Sequence, residues 1–222
     1  MIALIGAPTS AGAFAPGQED APGALRAAGL VQALGASDRG DTPRFRWHVD
    51  HDAPRAMNAD AVVDGVRAVA ARVEKALRAG DLPLVLGGDC TVGVGTVAGA
   101  VAAGAEPRLV YLDLHPDLNT PGSVPDGALD WMGVAHMLDV EGADERWPPP
   151  ARGARCWATT TSSSSGSGRI SAPRPSATRS APAACGRSAS TTCAPIRLRP
   201  PVPRSNAPRP AAGASSCTST ST

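Results

Sequence analysis

The sequence has 222 residues and a formal net charge of +1, a size that suits one domain with a sizeable core. No apolar run approaches the length of about 20 residues that spans a bilayer, and residues 1–17 lack the regions of a secretory signal. The five cysteines are odd in number and have no metal-binding spacing, which argues against a disulfide framework and favours a cytoplasmic protein.

Strand and helix patterns alternate along the first half of the sequence. The helix has its clearest signal at 58–79, where apolar residues recur on one face and Asn58 can cap the start. Continuously apolar strands at this spacing predict an α/β fold with three layers, a parallel sheet with helices on both faces. In chain order the predicted elements are a strand at 1–5, a helix at 21–34, a strand at 45–49, a helix at 58–79, a strand at 82–86, a helix at 91–103 and a strand at 109–112.

Residues 151–222 differ in composition from residues 1–150. They hold ten of the 21 basic residues, all arginine, and none of the 20 acidic ones, so that residues 1–150 carry a net charge of −9 and residues 151–222 one of +10. The segment is rich in Ser, Thr, Pro, Ala and Arg and has no amphipathic period. We expect 151–222 to be a disordered, low-complexity tail that follows the folded region 1–150.

Two motifs follow the last two predicted strands, GGDC at 87–90 and DLHPDLNTP at 113–121. In a parallel sheet, ligands bind beyond the carboxyl ends of the strands. Asp113, His115 and Asp117 alternate along an extended chain and therefore point to the same side. Cys90 adds a donor from the other strand end, so the pattern predicts a metal site; solvated loop carboxylates are the alternative.

These motifs resemble those of the arginase–agmatinase (ureohydrolase) family. The segments IGAPTS at 5–10 and EDAPGALRAAGL at 19–30 resemble the family's first strand, glycine-rich loop and first helix. GGDC resembles its Gly-Gly-Asp-His turn, and DLHPDLNTP is similar to its Asp-Ala-His-x-Asp-x-Asn-Thr-Pro signature, whose Asn-Thr-Pro disfavours deacetylase-like hydrolases. The resemblance covers about residues 1–140 and implies that 1–150 form the N-terminal part of an arginase-like α/β domain, with the sheet incomplete.

The resemblance also implies a reaction and a ligand set. Family members hold two Mn²⁺ ions, and a hydroxide that bridges them attacks the guanidino or amidino carbon of a small substrate and cleaves a C–N bond. In this arrangement Asp113 would bridge the metals, Asp117 would bind the first and His115 the second. Asn119 matches a position that contacts substrate, and a homo-oligomer is implied for the intact protein. Carboxylates and an imidazole suit Mn²⁺.

Three positions depart from the family pattern. Cys90 stands where the family has a metal-binding histidine; a thiolate there favours Zn²⁺, whereas a small buried residue beside a glycine turn is the alternative. Ala128 and Asp130 replace an asparagine and a catalytic histidine. Asp130 could carry protons or contact a cationic substrate, although its ordinary pKa suits the histidine role poorly. His136 lies in an apolar helical pattern and is predicted to be structural or solvent-facing.

The family's second pair of metal-binding carboxylates, an Asp-x-Asp on a later strand, has no counterpart in 151–222. A shifted reading frame would explain this if codons end mostly in G or C, as 20 arginines against one lysine suggest. With such codons, the last base of each codon can be read together with the first two bases of the next codon. In this frame 156–166 can be read as LGDDDVVLLG and 214–222 as VVLHVDVD. The second string contains an Asp-x-Asp, and the slip would lie between 147 and 156.

We therefore expect the chain as written to bind one metal ion or none and to lack useful turnover, because catalysis needs both ions. A non-enzymatic metal-binding fragment of the same fold is the alternative, and metal stoichiometry would distinguish the two. The ten tail arginines raise a third interpretation, nucleic-acid binding, but Trp157 is the tail's one aromatic residue. We expect no nucleic-acid or membrane partner, and a half-covered sheet predicts poor solubility.

Overall fold

The computed structural model describes residues 1–147 and, further along, the backbone of three short strands. The predictions of disorder and of a shifted frame in 151–222 fall on residues that otherwise lie outside this described part. Within it, no helix combines the length and the apolar character needed to cross a membrane. In chain order the elements are β1 (Ile2–Gly6), α1 (Ala21–Ala27), α2 (Leu30–Leu34), β2 (Ser37–Asp41), α3 (Ala59–Arg78), β3 (Leu82–Leu86), α4 (Val92–Ala102), β4 (Arg108–Leu109), α5 (Gly133–Met137), β5 (Arg155–Cys156), β6 (Ala158–Thr160) and β7 (Gly168–Ile170).

Strands β2, β1 and β3 form a parallel sheet with β1 in the centre. β1 and β3 pair without interruption from Ile2 opposite Leu82 to Gly6 opposite Leu86. The parallel strands β4 and β5 form a separate pair, and β6 and β7 form an antiparallel one. A parallel sheet with helices packed against it confirms the predicted α/β class.

The core lies between the sheet and the two long helices. Ala3, Leu4 and Ile5 of β1 are at most 1% exposed, as expected for a central strand. Helix α3 packs against β1, β3 and α4, so its apolar face is shared by two clusters of buried side chains. One cluster joins α3 to the sheet; the other joins it to α4, to α5 and to the loops before and after α5.

The predicted strand at 45–49 is wrong. Phe45 makes only an isolated bridge with Thr9, and the strand beside β1 is instead β2, whose sequence is SDRGD. An edge strand needs paired backbone groups on one side only, so it does not require apolar side chains. Its carboxylates are held by Arg26, which contacts Asp38 at 2.8 Å and Asp41 at 2.7 Å.

Two other elements differ from their predicted bounds. The predicted helix at 21–34 is divided into α1 and α2 at Gly29, whose φ of 86° lies in the left-handed region. The predicted strand at 109–112 is wrong beyond its first residue, because β4 comprises only Arg108 and Leu109. By contrast, α3, β3 and α4 match their predicted positions to within one residue at each end.

Helices α3 and α4 approach so closely that Gly95 should tolerate no side chain. A Cβ there would lie 2.7 Å from the Val66 carbonyl oxygen and 2.8 Å from the Val69 Cβ, whereas a Cβ at Gly93 would meet nothing nearer than 3.8 Å. We expect Gly95→Ala to lower the free energy of unfolding by about 1–3 kcal/mol through overpacking. Gly93→Ala, the matched control, should leave it unchanged or raise it by up to about 1 kcal/mol. Urea titration measures both, and equal stabilities would contradict this packing.

Candidate metal centre

Three side chains from two strand ends converge on one point. Cys90 follows β3, and Asp113 and Asp117 follow β4. One ligand atom from each lies within 4.8 Å of the others, and the Cys90 Sγ is 4.0 Å from the Asp113 Oδ2. Three of the four ligands predicted from the sequence are therefore brought together.

The turn that presents Cys90 is fixed by the loop after β1. A Cβ at Gly88 would lie 1.7 Å from the Thr9 carbonyl oxygen, so only glycine fits there. The buried Asp89 carboxylate accepts hydrogen bonds from the backbone N–H groups of Gly12, at 2.9 Å, and Thr91, at 3.0 Å. Asp89 is thus an anchor of the site and not a ligand, and burial raises the pKa of its carboxyl.

Asp117 is held in an unusual backbone conformation. Its φ of 47° is left-handed, a conformation that costs energy in a non-glycine residue and that clusters at functional sites. The Tyr111 hydroxyl donates a hydrogen bond to its carboxylate, and its carbonyl oxygen accepts one from the Ala135 N–H at 3.0 Å. Burial, reinforced by the charge of Asp113, raises the pKa of Asp117 to about 6.

The same environment disfavours a free thiolate at Cys90. Burial raises the pKa of the Cys90 thiol to about 12, with further contributions from the charges of Asp117, Asp113 and Asp130. Burial and the hydrogen bond to Asp117 also raise the pKa of Tyr111. Negative charge is therefore crowded at this point, which is the condition that a divalent cation relieves.

His115 and Asn119, the remaining predicted site residues of this segment, lie beside the cluster. The His115 Nδ1 is 3.9 Å from the Asp113 Oδ1. The exposed imidazole is not one of the three converging groups, and its ring centroid lies 5.1 Å from that of Trp131. The Asn119 N–H donates to the Trp131 carbonyl oxygen at 3.2 Å, and its Oδ1 accepts from the Ser123 hydroxyl at 3.2 Å.

Asp130 begins the short helical turn Asp130–Met132, which lies at the end of the same loop and directly precedes α5. Its N–H donates to the Gly12 carbonyl oxygen at 2.9 Å, and its buried Oδ1 has no hydrogen-bond partner among the described residues. Burial, together with the charges of Asp89 and Asp117, raises the pKa of Asp130 to about 7. The ordinary carboxyl pKa that argued against a proton-carrying role therefore does not apply at this position.

His136 is structural, one of the two predicted outcomes. Its ring is buried and stacks on Trp147 with the centroids 3.9 Å apart. Its Nδ1 lies 2.7 Å from the Met132 carbonyl oxygen, and its Nε2 accepts a hydrogen bond from the Asp144 N–H at 2.8 Å. The Nδ1 contact thus holds the ring against the residue that precedes α5, and the Nε2 contact joins α5 to the loop that follows it.

The donor set fits one divalent cation. Two carboxylates and one sulfur form a group of the kind that binds Zn²⁺ and related ions, with the carboxylates also acceptable to Mn²⁺. Among the described residues no second group of three His, Cys, Asp or Glu ligands converges. These residues therefore fit one ion of the expected pair, and not both.

Comparisons of the sequence and of the structure with known proteins agree on one family. The family described as "Arginase family" matches residues 1–146. An arginase of Agrobacterium fabrum is 35% identical over 158 residues, covering 67% of this chain and 48% of that protein, and one of Bacillus caldovelox is 33% identical, covering 62% and 48%. A crystal structure of Bacillus subtilis arginase is similar with a TM-score of 0.55 and 30% identity, covering 66% of this chain and 49% of that one. The chain spans about half the length of these curated relatives.

Proposed function

The chain belongs to the arginase family, and we propose that it carries one half of a metallohydrolase site that cleaves a guanidino or amidino C–N bond of a small substrate. The proposal rests on the convergence of Asp113, Asp117 and Cys90 beyond β3 and β4. In the 222-residue chain, this half-site binds one divalent cation or none and supports no useful turnover. A non-enzymatic metal-binding fragment of the same fold is the second candidate, favoured by the single ligand group.

Each of these residues has a distinct role in this proposal. Asp113 and Asp117 hold the cation through carboxylate oxygens, and Cys90 completes the group through its sulfur. Tyr111 orients the Asp117 carboxylate through its hydroxyl, as partners behind metal ligands commonly do. A bound divalent cation would supply a Lewis acid that polarises the substrate and acidifies water.

The second ion of the family's Mn²⁺ pair belongs to the complete site. His115 is the proposed ligand for it, and its exposed imidazole lies next to Asp113, the carboxylate proposed to bridge the two ions. The further carboxylates expected for this ion are those of the Asp-x-Asp that appears only in the shifted frame of 214–222. We therefore propose that repair of the frame restores the two-metal centre.

Asp130 and Asn119 are proposed to act on the substrate. The Oδ1 of Asp130, which has no hydrogen-bond partner among the described residues, can accept a proton or a hydrogen bond from a cationic group, and a pKa of about 7 suits proton transfer at neutral pH. Asn119 offers a side-chain amide close by, because its backbone N–H donates to the carbonyl oxygen of Trp131, the residue after Asp130. Ala128 cannot form the hydrogen bonds of the asparagine that it replaces, so arginine itself is a doubtful substrate.

The rest of the proposal concerns the setting of the protein. We place it in the cytoplasm, because the cysteine pattern gives no disulfide framework. Its partners are a small guanidino or amidino substrate and, for the intact protein, further copies of itself, with no nucleic acid and no membrane.

Metal preference tests the proposal. We expect the 222-residue chain to bind no more than one ion and to prefer Zn²⁺ over Mn²⁺. Cys90→His should reduce that preference about tenfold, or 1.4 kcal/mol, because imidazole replaces the softer sulfur. Competition titration calorimetry measures the two affinities, and elemental analysis of the purified protein gives the stoichiometry.

The matched control is Cys185→His, which makes the same replacement outside the described residues and should leave the preference unchanged. Two ions per chain, or an equal effect of both substitutions, would contradict the half-site. In the first case the chain as written holds a complete centre; in the second, the tail cysteines bind the metal.

A further inference from the structure

Trp131 lies among the residues of the candidate site and is not itself a metal ligand. Its ring centroid is 5.1 Å from that of His115, the exposed imidazole beside Asp113. Its carbonyl oxygen accepts the hydrogen bond from the Asn119 N–H at 3.2 Å, and Asp130 directly precedes it in the chain. Trp131 therefore contacts or adjoins the proposed second-metal ligand and both residues that are proposed to act on the substrate.

Two polar side-chain atoms of this turn have no hydrogen-bond partner in the part of the chain that the structure describes. They are the Trp131 Nε1, which is a donor, and the Asp130 Oδ1, which is an acceptor, and both atoms are buried. Buried polar atoms are nearly always hydrogen-bonded in folded proteins, so an exception at a candidate site calls for a functional explanation. The Trp131 side chain as a whole is only partly buried, and the His115 ring is tilted by 47° to it and does not cover it as a parallel stack would.

The charges around Trp131 favour a cation. Asp113, Asp117 and Asp130 are carboxylates of this site, and among the described residues no Lys or Arg side chain forms an ion pair with any of them. The face of an aromatic ring attracts cations, and that of Trp does so most strongly. A guanidinium group is planar and more weakly hydrated than an ammonium group, so it stacks on such a ring more readily.

We propose that Trp131 is a substrate-binding residue on which the planar cation of a guanidino or amidino substrate stacks, while the Asp130 carboxylate accepts a hydrogen bond from the same cation. The inference rests on the proposed function, because it adds a specificity-determining residue to that site. Stacking covers one face of the cation and leaves the other open, which orients its central carbon for attack. The site then selects its substrate by a group that is both flat and positively charged.

The test follows the binding of butylguanidinium to the full 222-residue chain in EDTA by proton NMR. The ring current of a stacked indole should shift the methylene protons next to the guanidino group upfield. Trp131→Leu should abolish this shift and weaken binding about fivefold, as loss of a partly exposed cation–π contact would, whereas Trp131→Phe should retain part of both. Trp47→Leu is the matched control and should have no effect, because Trp47 is also partly buried with an indole N–H that lacks a partner among the described residues, but lies in another segment.

Two further ligands separate the contributions of charge and shape. Butylurea keeps the planar group without its charge, and butylammonium keeps the charge without the planar group. Both should bind at least about threefold more weakly than butylguanidinium, because a cation–π stack needs both properties. Equal binding of either ligand would overturn the proposal.

Nuclear Overhauser contacts with the unmodified chain keep the proposal testable if Trp131→Leu folds poorly. They should join the same methylene protons to the ring protons of Trp131, which are identified by their loss in Trp131→Phe. Contacts with other tryptophans only, the absence of binding, or equal binding by Trp131→Leu would overturn the proposal. Because these titrations contain no metal, the metal titration of the half-site can succeed where they fail, and the two proposals are judged separately.

Discussion

Asp117→Asn is expected to lower the affinity of the chain for Zn²⁺ by more than 100-fold. The substitution removes one of two carboxylates in a three-ligand group and replaces an anionic oxygen by a neutral amide. Loss of a partner behind a metal ligand commonly costs about 10–100-fold in affinity, and loss of the ligand itself should exceed that range. Titration calorimetry on the metal-free chain measures the change.

Two further substitutions provide affinities with which the loss at Asp117 can be compared. Tyr111→Phe removes the hydroxyl that orients Asp117, so its loss should fall within the range of about 10–100-fold. Asp126→Asn is the control for charge, because it removes a carboxylate of the same loop while keeping the oxygen that accepts the Ala128 N–H at 3.2 Å. It should bind as the unmodified chain does, and equal losses at Asp126 and Asp117 would show a general charge effect in place of a ligand.

Stability provides a second readout for Asp117. Burial raises the pKa of its carboxyl from 3.8 to about 6, so between these values the folded chain holds a proton that the unfolded chain has released. Ionisation of Asp117 therefore lowers the stability of the metal-free protein as the pH rises through about 4 to 6. Asp117→Asn removes this cost and tolerates a left-handed φ, so at pH 7 the metal-free variant should be about 1 kcal/mol more stable. A purely structural aspartate would show the opposite sign.

The sequence was most informative where apolar residues recur with a regular period. The stripe on α3 and the short run of β3 are local signals that survive in the folded structure because they face the core. β2 was missed because its polar residues gain their strand conformation from pairing with β1. The strand predicted at 109–112 is mostly absent for a related reason, because β4 pairs with β5 over two residues only. In both cases pairing with another strand, and not the local sequence, decides the conformation. The division of the first helix at Gly29 depends on one glycine whose conformation the pattern does not fix.

Within the candidate site, three of the four predicted ligands converge, but the contacts that support them could not be predicted from the sequence. Alternation along the strand end indicated Asp113 and Asp117, and the turn after β3 indicated Cys90. The contacts that fix them join distant parts of the chain: Asp89 binds an N–H 77 residues away, in Gly12. No local sequence pattern predicts a contact between residues so far apart in the chain. The raised pKa of Asp130 could not be predicted either, because it depends on the burial of this carboxyl in the folded protein.

Correcting one base between codons 147 and 156, where the proposed slip lies, is expected to give an enzyme that binds two metal ions and releases urea, which we expect the 222-residue chain not to do. The described residues bring together one ligand group, and the proposed shifted frame of 214–222 would supply the Asp-x-Asp within an apolar, strand-like sequence. Two ions that share one site position a nucleophile and stabilise charge in a way that a single ion at an incomplete site does not. The repaired continuation would also cover Val110 and Leu112, so solubility should improve with activity.

Resequencing across these codons and the intact mass of the expressed protein establish whether the base is missing. The repaired gene, loaded with Mn²⁺, should then release urea from a small guanidino substrate, with arginine and agmatine as the first pair. Because Ala128 and Asp130 replace residues of the arginine-using pattern, agmatine should be the better substrate of the two. The repaired chain carrying Asp117→Asn is the matched control and should lose both activity and the second ion. A repaired chain that still binds a single ion would place the defect in the first half, at Cys90, and not in the reading frame.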